Sequence, residues 1–172
     1  MKENEVVDKV TGLSFPIHRS FPYAGKGKDF SLLGAGPRRK NLFVVEVNVY
    51  SVGLYVESSH LGKLRQFKGK DAEVLSQEKG YYATLMKEKN GMNRALELVF
   101  ARSVPAGKVV EALSALEGVK EEVLGHFKGT LLAAIGTSVG KGETITLAWT
   151  VRTRKREGGR EEGQFLRNSM KD

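Results

Sequence analysis

The sequence predicts an α+β domain, an antiparallel sheet with helices on one of its faces. Two observations carry this. Strand-like segments come first, helical segments follow and one strong strand pattern comes last, which is not the strict βαβ alternation of a parallel sheet. The segments also differ in period: apolar residues recur every second position along 42–57, 94–102 and 143–151, and near every 3.6 along 109–116 and 123–135. The 172 residues suit one domain. A domain of this size buries about 70% of the surface its unfolded chain exposes, enough for a core without disulfides or metals.

The elements follow in order. Glu5 to Ser14 reads as a short strand closed by Phe15-Pro16, and Phe21 to Asp29, rich in glycine and lysine, as a loop or hairpin. Phe30 to Leu33 reads as a short strand ending at Gly34-Ala35-Gly36, with Pro37 turning the chain. From Leu42 to Glu57 the pattern is strand. Val45, Val47 and Val49 form an apolar face, and Glu46, Asn48 and Tyr50 a polar one. Gly53 within it suggests a bulge or a close backbone approach. His60–Phe67 and Asp71–Lys79 are short helices, Tyr81–Lys87 extends the second, and Asn90-Gly91 is a turn. Arg94 to Arg102 returns to strand with Leu96, Leu98 and Phe100 on one face. Pro105 suits the first turn of a helix, which Val109, Val110, Leu113 and Leu116 continue. Val123, Leu124, Phe127, Leu131, Leu132 and Ile135 define a second amphipathic helix. After a Gly140-Lys141-Gly142 turn, Ile145, Leu147, Trp149 and Val151 alternate along the last strand. The folded domain is therefore placed at 1–151, with a charged tail over 152–172.

Composition removes several function classes. With no cysteine there are no disulfides, thiolate metal sites or cysteine nucleophiles. His18, His60 and His126 are scattered, and none pairs with carboxylates at metal-ligand spacing. Gly34-Ala35-Gly36 lacks the third glycine of a dinucleotide loop, because position 39 is Arg39. Gly136 to Gly142 is one residue short of a phosphate loop. No cofactor and no metal are expected. No apolar run approaches the ~20 residues that cross a bilayer, and the N-terminus has neither an apolar signal core nor the acid-poor composition of a transit peptide. A soluble protein is expected. The net charge of +8 favours anionic partners. Much of the excess sits at Arg152, Arg154, Lys155, Arg156 and Arg160. Nucleic-acid binding rests on that charge alone and ranks last.

Two stretches carry more information: Leu33-Gly-Ala-Gly-Pro-Arg38-Arg-Lys40, and Val49-Tyr-Ser-Val-Gly-Leu-Tyr55-Val-Glu57. Together they resemble the chalcone isomerase fold family, in which a Gly-x-Gly-x-Arg turn precedes a long strand and a Tyr(or Thr)-x-aliphatic-Gly-x-Tyr motif follows. Val10–Pro16, Leu96–Arg102 and Lys141–Trp149 match the family more loosely but in the right order. The resemblance spans Val10 to Trp149. It implies an open-faced sandwich, a large antiparallel sheet with a helical layer on one face and a cleft between them.

The family divides by function, and so do the expectations. In the fatty-acid-binding branch an arginine and a strand tyrosine hold the ligand carboxylate, and Arg38 and Tyr50 match that pair. Arg102 and Tyr55 are further candidates for lining the cleft. In the isomerases, intramolecular lyases of flavonoid synthesis, the strand carries threonine in place of Tyr50. Their catalytic tyrosine, lysine and asparagine lie at the start of the helix after the middle strand. Here that region reads Val104-Pro-Ala-Gly-Lys-Val-Val-Glu-Ala-Leu113, which does not match the three. The family's late helix, which closes the cleft, has room only to begin at Gln164–Met170. The resemblance thus implies non-catalytic binding of a fatty acid or similar amphipathic carboxylate, in the cytoplasm or plastid stroma. The alternatives are a chalcone isomerase and a non-catalytic partner protein. Without the resemblance, Arg38 would read as a surface ion-pair residue, Tyr50 and Tyr55 as core tyrosines, and Arg102 as a sheet-edge ion-pair residue.

Overall fold

The computed structural model describes residues 4–24, 27–42, 45–86, 91–150 and 164–168. An N-terminal hairpin pairs β1 (Glu5–Val7) with β2 (Ser14–Pro16). The main sheet is built from β3 (His18–Ser20), β4 (Asp29–Leu42), β5 (Val45–Glu57) and β6 (Arg94–Phe100), followed after a small ladder between β7 (Val104–Pro105) and β8 (Ser138–Val139) by β9 (Thr144–Trp149) and β10 (Gln164–Asn168). Its strand order is β10-β9-β6-β5-β4-β3, and every neighbouring pair is antiparallel. The expected α+β class is the observed one. The segment read as a tail supplies β10, so 164–168 runs as strand where a helix start was expected.

A ten-residue 3-10 segment, Ser58–Phe67, follows β5, then α1 (Ala72–Gln77) and α2 (Lys79–Met86). The first expected helix is thus 3-10 rather than α. Two serines, a histidine and Gly62 in its first five residues are poor α formers, and its helical hold comes from tucking Leu64 and Phe67 inward. α3 (Ala106–Leu113) starts immediately after Pro105, as expected. α4 (Glu121–Ile135) ends at Gly136, whose φ of 76° few other residues would accept. The turn predicted at Asn90-Gly91 falls partly outside the described residues; Gly91 itself has φ 55°.

Both faces of the sheet are covered. On one, Tyr50, Leu98, Phe100, Ile145 and Leu147 pack against Val109 and Val110 of α3 and Leu131 and Ile135 of α4. On the other, Tyr55, Phe30, Ala95 and Ala148 pack under Phe15 and Phe21 from the N-terminal segment. Gly53 is the close approach expected of it: a Cβ there would lie 2.6 Å from a ring carbon of Phe15. A third cluster joins Val56 to Leu64, Phe67, Leu85 and Met92 under the helical segment 58–86.

Two further expectations change. Gly34-Ala35-Gly36-Pro37 does not turn the chain. It lies inside β4, with Gly36 opposite Val52 and Pro37 opposite Ser51. β3 flanks β4 only at Asp29–Ser31, so beyond Leu32 the described residues give β4 one neighbouring strand, β5. An edge is where a sheet accepts proline, because a missing N–H there costs no ladder bond. Tyr50 is on the apolar helical face, not a polar one. The register steps from Arg38↔Tyr50 to Arg39↔Asn48, leaving Val49 as an extra residue that breaks the alternation. Trp149, the last residue of β9, stands 39% exposed beneath the Arg94 guanidinium.

Candidate functional site

The Val49 bulge places Arg38 and Tyr50 at facing positions of adjacent strands. They line one wall of a cleft of about 520 Å³, within the ~300–1,000 Å³ typical of small-molecule sites. Arg102 and Ser103, in the loop after β6, and Pro105 and Lys108, where α3 begins, form the opposite side. Val49, Val104, Ala112 and Ala115 supply apolar lining. The cleft therefore opens between the β4–β5 end of the sheet and the first turns of α3.

The electrostatics are one-sided. Arg38, Arg102 and Lys108 bring three cations to the lining, and Glu111 is its one carboxylate. Lys108 Nζ is 2.8 Å from Glu111 Oε2. Arg38 is exposed, and among the described residues neither it nor Arg102 forms an ion pair. Tyr50 is 8% exposed, with its ring 5.3 Å from that of Phe100. Burial raises its phenol above the usual tyrosine value, and the nearby Arg38 charge offsets only part of this. At neutral pH Tyr50 is therefore a neutral O–H donor beside a guanidinium that has no ion-pair partner among the described residues. This set can receive an anionic head, and the adjoining surface can receive apolar chain.

Of the four residues singled out from sequence, three meet in this cleft and one does not. Tyr55 is five residues along β5 from Tyr50, and odd spacing in a strand sends side chains to opposite faces. It is fully buried on the N-terminal side, and its hydroxyl donates to the Pro16 carbonyl at 3.0 Å. Beside it Glu97, 1% exposed, meets Arg19 at 2.6 Å. Burial raises Glu97 above the usual carboxylate range, against the lowering effect of Arg19 and Tyr55. Lys108, Ser103 and Glu111 were not singled out from sequence. The signal that could have found Lys108 is its place in the first turn of a helix whose start faces the strand motif. His18 faces Asp29 at 3.1 Å, burial lowers His60, and among the described residues no group of acids and histidines could hold a metal. No helix among them is long and apolar enough to cross a membrane.

No family model matches the chain, and no curated protein matches it by sequence. Solved structures do match. One is the crystal structure of an Arabidopsis thaliana fatty-acid binding protein, AtFAP1, with a TM-score of 0.62 over 85% of this chain and 73% of that one, at 23% identity. At that identity the likeness establishes the fold, a chalcone isomerase-like α+β arrangement.

Proposed function

We propose that this protein binds free fatty acids or similar amphipathic carboxylates in the cleft, without turnover, with Arg38 and Tyr50 as the carboxylate anchor. The observation that carries the reading is the cross-strand pairing of Arg38 with Tyr50 at the wall of one apolar-lined cleft. The structural neighbour named for fatty-acid binding is consistent with it. A carboxylate entering such a cleft loses hydration, a large cost unless it is paired. A guanidinium offers a charged planar fork and a phenol one further donor, each charge-assisted bond being worth about 1.5–3 kcal/mol. Burying about ten methylenes adds roughly 8 kcal/mol gross, against an association cost of about 4 kcal/mol or more. Affinity in the micromolar range follows for a medium-chain acid.

Calorimetric titration with a saturated medium-chain acid tests this. Saturable binding is expected, with Arg38→Ala weakening it roughly ten- to a hundredfold. Tyr50→Phe, which keeps the ring on Phe100, should weaken it about tenfold with little change in stability. No heat of binding in the wild type would sink the reading. Lys108 favours a second reading, an intramolecular lyase, since it brings a lysine of α3 into the cleft beside Arg38. Residues 104–113 hold neither a tyrosine nor an asparagine to accompany it, and chalcone cyclisation by the purified protein is the measurement that would favour this reading.

A further inference from the structure

At the other end of β4 and β5 lies a second groove, of about 460 Å³. Its apolar lining comes from Leu33, the extra residue of a bulge in β4, and from Leu64, Phe67 and Tyr81. Its rim carries Arg65, Lys68 and Lys70, all exposed. From Ser58 to Lys70 the chain has four cations and no acid. Lys70 lies over the Phe67 ring and is held by Glu78 at 2.6 Å, whereas Arg65 and Lys68 form no ion pair among the described residues. Asp71 and Glu73, exposed at the start of α1, and Glu57, paired with Lys28 just before Ser58, are further acids nearby in sequence. Large apolar side chains stand out of the same region. Leu61 on the groove is 37% exposed, and Tyr82, whose ring meets that of Tyr81, is 46% exposed. Met86, one turn along the same face of α2, is 61% exposed.

We propose that this face, built from Ser58–Phe67, α1 and α2, docks on the surface of an anionic lipid bilayer. The mixture of groups selects that partner. A nucleic-acid backbone would pair the cations and leave Leu61 and Met86 without a counterpart. A bilayer interface supplies lipid phosphates for Arg65 and Lys68 and, just beneath them, acyl surface for Leu61, Tyr82 and Met86. Lysine and arginine stems lie along apolar surface with their charge at the water boundary, as Lys70 already does on Phe67. The inference stands on this face alone and does not require the cleft to bind a fatty acid.

Cosedimentation of the full chain tests it, with vesicles of phosphatidylcholine alone and of an equal mixture with phosphatidylglycerol. Binding to the mixed vesicles is expected, falling with added salt. The double change Arg65→Gln, Lys68→Gln should lower it by more than tenfold, about fivefold for each cation near the surface. Leu61→Ser, at an exposed position that leaves the charge unchanged, should weaken it severalfold. Lys120→Gln with Lys141→Gln removes the same charge from elsewhere and should change it far less; circular dichroism melts establish that every variant is folded. Equal binding to both vesicle types would overturn the proposal. So would an equal loss in the Lys120, Lys141 variant, or no loss with Leu61→Ser. Saturation by polyglutamate with no vesicle binding would overturn it in favour of an acidic protein partner.

Discussion

Tyr50 packs its ring against Phe100 while lining the cleft beside Arg38, so its ring and its hydroxyl can be tested apart, as Tyr50→Phe does. Asp8 gives a second case in which one side chain ties distant parts together. Its carboxylate accepts from Ser51 Oγ at 2.5 Å, from the Val10 N–H at 3.0 Å and from Thr11 Oγ1 at 2.8 Å. Burial alone would raise its pKa, but these bonds outweigh it and hold Asp8 below its usual value of 3.8. The folded state thus releases the proton more readily than the unfolded chain. Stability from this cluster is present in full above about pH 4 and is lost as pH falls through the lowered folded value. Asp8→Asn should cost about 1–3 kcal/mol at neutral pH. It should also flatten the acid limb of stability, read from urea midpoints between neutral pH and pH ~3. Sequence reading passed over Asp8 because its partner Ser51 is 43 residues away.

At the scale of elements, legibility followed continuity of pattern. β6, β9, α3 and α4 were readable because one period runs through each, and in β6 and α3 the apolar face is the buried one: Leu98 and Phe100 are inside, as are Val109 and Val110. β4 was misread because glycine and proline, usually stops, sit in the part of β4 that has a single neighbouring strand among the described residues. Tyr50 was assigned to the wrong face because a one-residue bulge reverses the alternation, and bulges leave no mark in hydropathy. Glu97 alternates with Leu96 and Leu98, yet it is buried because the N-terminal segment covers its side of the sheet. Arg38 and Tyr50 were found through a motif, and Arg102 by its place at the end of β6; Lys108 was missed because a loop and a helix bring it across. The hairpin's docking on β5 yields its own test. Gly53→Ala would press a methyl into Phe15. It should destabilise the protein by about 1–3 kcal/mol in urea titrations, with the loss largely recovered by Phe15→Leu in the double variant.

Taken whole, the molecule is stabilised unevenly. β5, β6 and β9 are central strands with both faces covered, and β9 is buried along five of its six residues. α4 spans 15 residues yet buries only Leu131 and Ile135 fully, and it leaves Val123 and Leu132 exposed. Protection should follow burial. In native-state hydrogen exchange, amides of β6 and β9 should exchange only with global unfolding, and those in the first half of α4 faster by an order of magnitude or more. Uniform protection across α4 and the sheet would contradict this ordering. The cleft lies where β4 and β5 meet the first turns of α3, with Tyr50 on the central strand β5, Arg38 on its neighbour β4 and Lys108 on the helix.

The proline in β4 has a consequence for how copies of this protein behave toward one another. A bare strand border invites a strand from another molecule to add to it, the first step of domain swapping and of fibre growth. Pro37 offers no N–H to such a newcomer, and Gly34 and Gly36 give it no side chains to grip. Arg38 adds a charge at the next position, which stacked copies would bring into repulsion. This border of β4, which has no further strand beside it among the described residues, is therefore built to discourage self-templating, and Pro37→Val would remove that safeguard while leaving Arg38 and Tyr50 in place.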